Sequence, residues 1–239
     1  MTNVLAWATF GVCVALTGIR IPSALRGENR MMFVLFALIS LDILLSLEVP
    51  YEFLDGLMGG FNVCNLLLRF LLYGTFLLMG IKVARAFGSR GGERAVRGPW
   101  GIAVLAITAV LTAVFFFSMD TSGSTVGLED LDPEPALDLY SAFGRAYPGY
   151  VSACLIPAIW RSVRSSGPAL LRAASGMLLA GLALLIVSQV FPLIPDSNTW
   201  LRPLINYSAA LASALGLGGI WLSKTIARRT IHTIPSDQR

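Results

Sequence analysis

The sequence predicts an all-α, polytopic membrane protein: a bundle of seven transmembrane helices, N-terminus outside and C-terminus cytoplasmic. Three observations carry that expectation. Of 239 residues, 55% are hydrophobic and 13% charged, against about 25% charged in a soluble domain, and the mean hydropathy is +0.71. Seven apolar runs reach the length that a helix needs to cross a hydrocarbon core about 30 Å thick. The basic residues gather on alternate connections between those runs, and that asymmetry sets orientation in a bilayer.

The runs follow in order. The first covers about 3–19 and has no charge before Arg20. A cleavable signal carries its positive charge ahead of the apolar stretch, so this segment is expected to be retained. The second and third runs cover 31–51 and 61–84. The fourth, 99–118, opens at Gly98-Pro99. The fifth, 138–163, contains Pro157, which should kink it. Gly167-Pro168 opens the sixth, 168–193, and Pro203 sits in the first turn of the seventh, 202–226; proline is tolerated there because its missing N–H has no helical partner anyway. The helical domain is thus placed at 1–228 and a short polar tail at 229–239, with no further domain expected. Backbone groups find no water among lipid tails, so these runs must be helical. The short alternating segments of a membrane β-barrel are absent.

Sidedness comes from the connections. Arg20, Arg26, Arg30, then Lys82, Arg85, Arg90, Arg94, Arg97, then Arg161, Arg164, Arg172, and finally Lys224, Arg228, Arg229 and Arg239 share one side. Arg145 and Arg202 lie on the other, with acids that include Glu48, Glu52, Asp55, Asp120, Glu129, Asp130, Asp132, Glu134, Asp138 and Asp196. The basic side is cytoplasmic, which puts the chain in the cell membrane as a multi-pass protein. Its basic loops should meet anionic lipid headgroups. Charges spread over loop ends do not make the basic patch or stripe that nucleic acid requires. Trp100, Trp160 and Trp221 near one face, with Trp200, Tyr51 and Tyr140 near the other, read as interfacial belts.

Several chemistries are excluded. Cys13, Cys64 and Cys154 lie in or beside apolar runs with no disulfide or zinc spacing, and read as packing residues. The one histidine, His232, is in the tail, which removes HExxH chemistry and histidine-ligated haem. Lys82 and Lys224 are the only lysines and sit at the cytoplasmic edge, whereas a retinal protein needs one deep in its last helix. There is no phosphate-binding glycine loop and no intramembrane protease pair. No cofactor or metal is expected, and an enzyme is the least favoured class. The acidic stretch 120–138 does not follow the EF-hand pattern and reads as a solvated cap.

Ionisable groups within a bilayer are costly and usually pair or line a cavity. Asp42 in the second run and Arg69 in the third are expected to form an intramembrane ion pair. It would either fix the helix packing or line a solute path. Asn62, Asn65, Arg145, Tyr147, Gln189, Asn206 and Tyr207 fall in the outer halves of their runs and make a candidate ligand pocket. Its arginines would favour a small anionic ligand; the alternative is that these residues are interhelical hydrogen-bond partners. Ser208, Ala212 and Gly216 form a small-residue stripe suited to close packing, within the bundle or against a second copy or another membrane protein. The fourth run has few polar side chains and is expected to face lipid.

Runs one to three and five to seven point the same way about the fourth, which permits a 3+1+3 repeat as in some small transporters, although the Pro-Gln dipeptide of that class is absent. Gly-Gly-Phe-Asn-Val-Cys-Asn at 59–65 opens the third run, and Trp160-Arg161-Ser162-Val163-Arg164 closes the fifth, followed by Arg172 and Gly176. On these motifs the chain resembles an uncharacterised actinobacterial group of seven-helix membrane proteins labelled as transporters. The resemblance implies small-solute transport. The residues leave two further readings open: a receptor or sensor that signals to a separate cytoplasmic partner, and a structural or assembly protein without a ligand.

Overall fold

A computed structural model describes residues 2–128, 131, 134–194 and 198–232. Among them the chain is helical: α1 Thr2–Leu25, α2 Arg30–Leu45, α3 Glu48–Leu57, α4 Val63–Ala86, α5 Arg90–Arg97, α6 Pro99–Phe117, α7 Pro135–Val163, α8 Ala169–Val187 and α9 Leu201–His232, with 3-10 turns at Val126–Leu128 and Ser188–Leu193. Glu129, Asp130, Asp132, Asp196 and the tail from 233 onward lie outside the described residues.

Five helices are long and apolar enough to cross a membrane: α1, α4, α6, α8 with its 3-10 extension, and α9. The pair α2–α3, bent by 86°, makes a sixth if it is one broken span. Large apolar side chains point away from the bundle, among them Trp7, Val14, Ile107, Val110 and Phe117. A continuous apolar surface of this kind needs a lipid or protein partner. The architecture is compatible with an integral membrane protein.

The bend corrects the expected second span of 31–51. Pro50 has no N–H to give the carbonyl of Ser46, and its ring would clash there, so α2 stops at Leu45. Its 16 residues rise only about 24 Å. Ser46 Oγ turns back to the Ile43 carbonyl at 2.7 Å. The freed Ser46 carbonyl instead accepts from Tyr207 Oη at 3.0 Å. α3 then leaves at a steep angle, with Val49, Phe53 and Leu57 exposed along one face and Tyr51 and Asp55 buried on the other.

Other boundaries also move. α1 runs past the expected end at 19, with Pro22 inside it. α7 starts at Pro135, and α9 continues to His232, so the first four residues assigned to the tail are helical. The connection at 85–97 contains α5, capped by Ser89 Oγ accepting from the Gly92 N–H at 3.2 Å. Val96 of α5 is buried against Gly80 of α4.

α4 is the hub and packs against α2, α5, α6 and α7. α8 and α9 form the tightest pair because small residues meet across them. A Cβ on Gly216 would lie 2.5 Å from the Leu178 backbone N, and one on Gly219 2.8 Å from Ala174 Cβ. The contact face of α9 is Ala209, Ser213 and Gly216, so the stripe expected at Ser208 and Ala212 is shifted by one residue. α6 turns Thr108, Thr112 and Phe116 inward and Ile102, Ile107, Val110 and Val114 outward.

Candidate functional site

The expected Asp42–Arg69 ion pair is not formed. Asp42 is buried and its Oδ2 accepts from Thr75 Oγ1 at 2.8 Å, while its Oδ1 has no partner. Thr75 lies six residues beyond Arg69 on α4, about 9 Å along the axis and roughly 120° around it. Asp42 therefore sits deeper than the reach from Arg69 allows, and Arg69 faces another helix. That helix is α7: a Cβ on Gly144 would lie 2.9 Å from Arg69 Nε. The bare backbone at Gly144 makes room for the guanidinium, whose carbon stands 5.5 Å from the Tyr140 ring centroid.

The expected outer pocket divides. One part is a structural knot. Asn62, at φ 54°, is fully buried. Its Oδ1 accepts from Tyr51 Oη at 2.8 Å and the Thr125 N–H at 3.0 Å, and its Nδ2 donates to the Thr121 carbonyl at 3.2 Å. Asp55 holds the same junction: its Oδ2 accepts from the Asn62 N–H at 2.9 Å and Ser124 Oγ at 2.7 Å, and its Oδ1 accepts from the Cys64 N–H at 2.9 Å. A carboxylate at the start of α4 also complements the helix dipole. These bonds dock the loop after α6 onto the end of the bundle where α3 meets α4, so its described portion is tied down as a cap.

Three more residues leave the pocket. Asn206 is exposed. Tyr207 faces α2 and closes the Ser46 break. Tyr147 is buried in the central core, edge-on to Tyr73 at 5.8 Å, with its hydroxyl unpartnered.

What remains is a cluster between α4, α7 and the start of α9. Arg145 lies within electrostatic reach of Arg69, Arg202 and Asp138. Among the described residues, the Nε of all three arginines is buried without a hydrogen-bond partner. Arg145 stands 5.6 Å from the Phe191 ring centroid, and Arg202 Nη2 reaches the Phe191 carbonyl at 3.5 Å. Gln189 lies on Gly149 and donates to the Arg145 carbonyl at 3.0 Å. Asn65 accepts from Tyr140 Oη at 2.7 Å. Three part-buried guanidiniums share the site with one described carboxylate, the exposed Asp138, so the site favours an added anion.

Tyr140 and Arg202 were not among the expected site residues. Tyr140, assigned to the interface belt, is fully buried, as is Tyr51. A tyrosine near a helix end satisfies either role, and only the asparagines opposite distinguish them. At the basic end, Arg20 was likewise read as a loop charge. It continues the buried face of α1 made by Ala6, Thr9 and Cys13, a helical spacing that the sequence does show. Among the described residues no group of histidine, cysteine and carboxylate side chains is placed to hold a metal ion. Comparison with protein-family models, curated proteins and solved structures returned no match to this chain.

Proposed function

We propose that the chain is a seven-span transporter of the cell membrane, N-terminus outside and basic ends cytoplasmic, that takes a small anionic solute at the Arg69–Arg145–Arg202 cluster. The seventh crossing in this reading is α7. Its 29 residues are long enough for a bilayer. They are less apolar than the other spans because α7 carries the inward-facing polar and small residues of the site: Tyr140, Gly144, Arg145 and Gly149. A span surrounded by other helices tolerates such residues. α3 would then lie along the outer interface, with Val49, Phe53 and Leu57 toward lipid.

The observation that carries the reading is the set of three unpartnered guanidinium Nε groups at the outer end. Holding three part-buried cations together is unfavourable, and a bound carboxylate or similar anion offsets part of that repulsion and gives the guanidiniums an acceptor. Proteoliposome uptake with a panel of labelled mono- and dicarboxylates, phosphate and chloride tests it. One of these anions is expected to enter, with uptake falling at least about tenfold in Arg145→Gln, as loss of a charge-assisted bond predicts. No uptake of any member, or unchanged uptake in that variant, contradicts the reading.

A structural role without ligand is the second reading. It is favoured by Asn62 and Tyr207, whose polar groups are consumed by internal bonds. It predicts that Arg145→Gln is neutral for anion binding and acts on stability alone.

A further inference from the structure

At the opposite, basic end a cavity of about 1210 Å³ opens between α1, α2, α4 and α9. Arg20 lies in its wall. The residue is only 2% exposed, although it stands about 8 Å from the end of α1, and both Nη atoms lack a hydrogen-bond partner among the described residues. Its guanidinium carbon is 4.0 Å from the Trp221 ring centroid and 5.6 Å from that of Phe36. The two aromatic faces hold the cation but give it no acceptor in the plane of the fork.

Among the described residues, the other cations of the cavity are Arg26, Lys82, Arg85 and Lys224, and Glu28 is its one acid. Glu28 is exposed and reaches only Arg26, at 3.9 Å. Lys82 donates to Asn29 Oδ1 at 2.6 Å, and Arg85 pairs with Glu93 at 2.7 Å. Lys82 lies within electrostatic reach of Arg20, Lys224 and Arg85. Nothing described answers the charge of Arg20. Ser23 and Thr225 add hydroxyls to the lining, and Met32, Leu217 and Ile220 beside Trp221 make an apolar stretch of wall.

We propose that this cavity binds a phosphate group, with the Arg20 fork as its bidentate anchor and Lys82 as a second cation. Guanidinium geometry suits two phosphate oxygens at once, and lysine adds a point charge. The cavity faces the headgroup level of the basic leaflet, so the phosphate can come from an anionic phospholipid, whose chains would follow the apolar wall, or from a soluble phosphate compound. The site is separate from the outer arginine cluster and does not depend on it.

The test uses the full chain in phosphatidylcholine nanodiscs and reads thermal unfolding together with native mass spectrometry. One arm adds phosphatidylglycerol to the nanodisc; another adds inorganic phosphate at matched ionic strength. The expected result is retained phosphatidylglycerol or a phosphate-dependent rise in Tm. Arg20→Gln should weaken that effect about tenfold or more, as loss of a bidentate charged contact predicts, and Lys82→Gln less. Gly176→Ala, which lies in neither arginine site and whose added Cβ meets nothing within 4 Å, should leave it unchanged. A response to phosphatidylglycerol alone assigns the lipid source, and a response to inorganic phosphate in pure phosphatidylcholine assigns the soluble one. If Arg20→Gln does not fold, Arg20→Lys keeps the charge without the fork and must still weaken binding. No response in either arm, or Arg20 and Lys82 variants that bind like the wild type, overturns the proposal.

Discussion

Asp55 accepts from two backbone N–H groups at the start of α4 and from Ser124 on the far loop, and it is fully buried. Removing it strands those donors and unties the cap. Asp55→Ala should lower stability by about 3 kcal/mol, the scale of hydrogen bonds to a buried charged group. Thermal unfolding in detergent checks this, and an unchanged Tm would show that the knot is not needed. The sequence displayed Asp55 only as one outer acid among several, because its value comes from the bend at Pro50 that swings α3 back over α4. Asp42 and Arg69 were visible as intramembrane charges, but their depths were not. Residue counting from expected helix ends carried an error of several ångströms, close to one helical turn, and a shift of that size decides a partner. Arg20 shows the converse. Its place on the buried stripe after Cys13 was legible, and only the proline two residues later suggested that the helix had ended.

At the scale of elements, apolar length located the helices well. It could not tell a straight span from α2–α3, since hydropathy does not register direction. Pro50 was the available signal, because a proline cannot take up the carbonyl four residues earlier. Small residues were also legible as packing sites, but not the one-residue rotation that selects Ala209 and Ser213 over Ser208 and Ala212. The α8–α9 interface gives a paired prediction. Gly216→Ala puts a Cβ against the Leu178 backbone, which cannot rotate away, and should cost about 1–3 kcal/mol. Gly176→Ala on α8 meets nothing within 4 Å, and should be neutral or slightly stabilising, by up to about 1 kcal/mol. Equal melting temperatures for the two variants would contradict the described packing.

For the whole molecule, the two ends differ in kind. One end is covered in part by α3 and the described portion of the loop after α6, near the arginine cluster. The basic end opens into a cavity around Arg20. The charge asymmetry of the loops was plain in the sequence and leads to the proposed orientation, whereas the cavity arises from four helices distant in the chain and no local motif marks it. The orientation and the seven crossings both hinge on α7, the long helix whose polar residues set it apart from the other spans. Single cysteines at Ser122 and Ser166, either side of α7, decide the matter in a background with Cys13, Cys64 and Cys154 replaced by alanine. A membrane-impermeant maleimide applied to intact cells should label the cysteine at 122 and reach the one at 166 only after the membrane is opened. Labelling of both positions from the same side would show that α7 does not cross, and the seven-span account would fail.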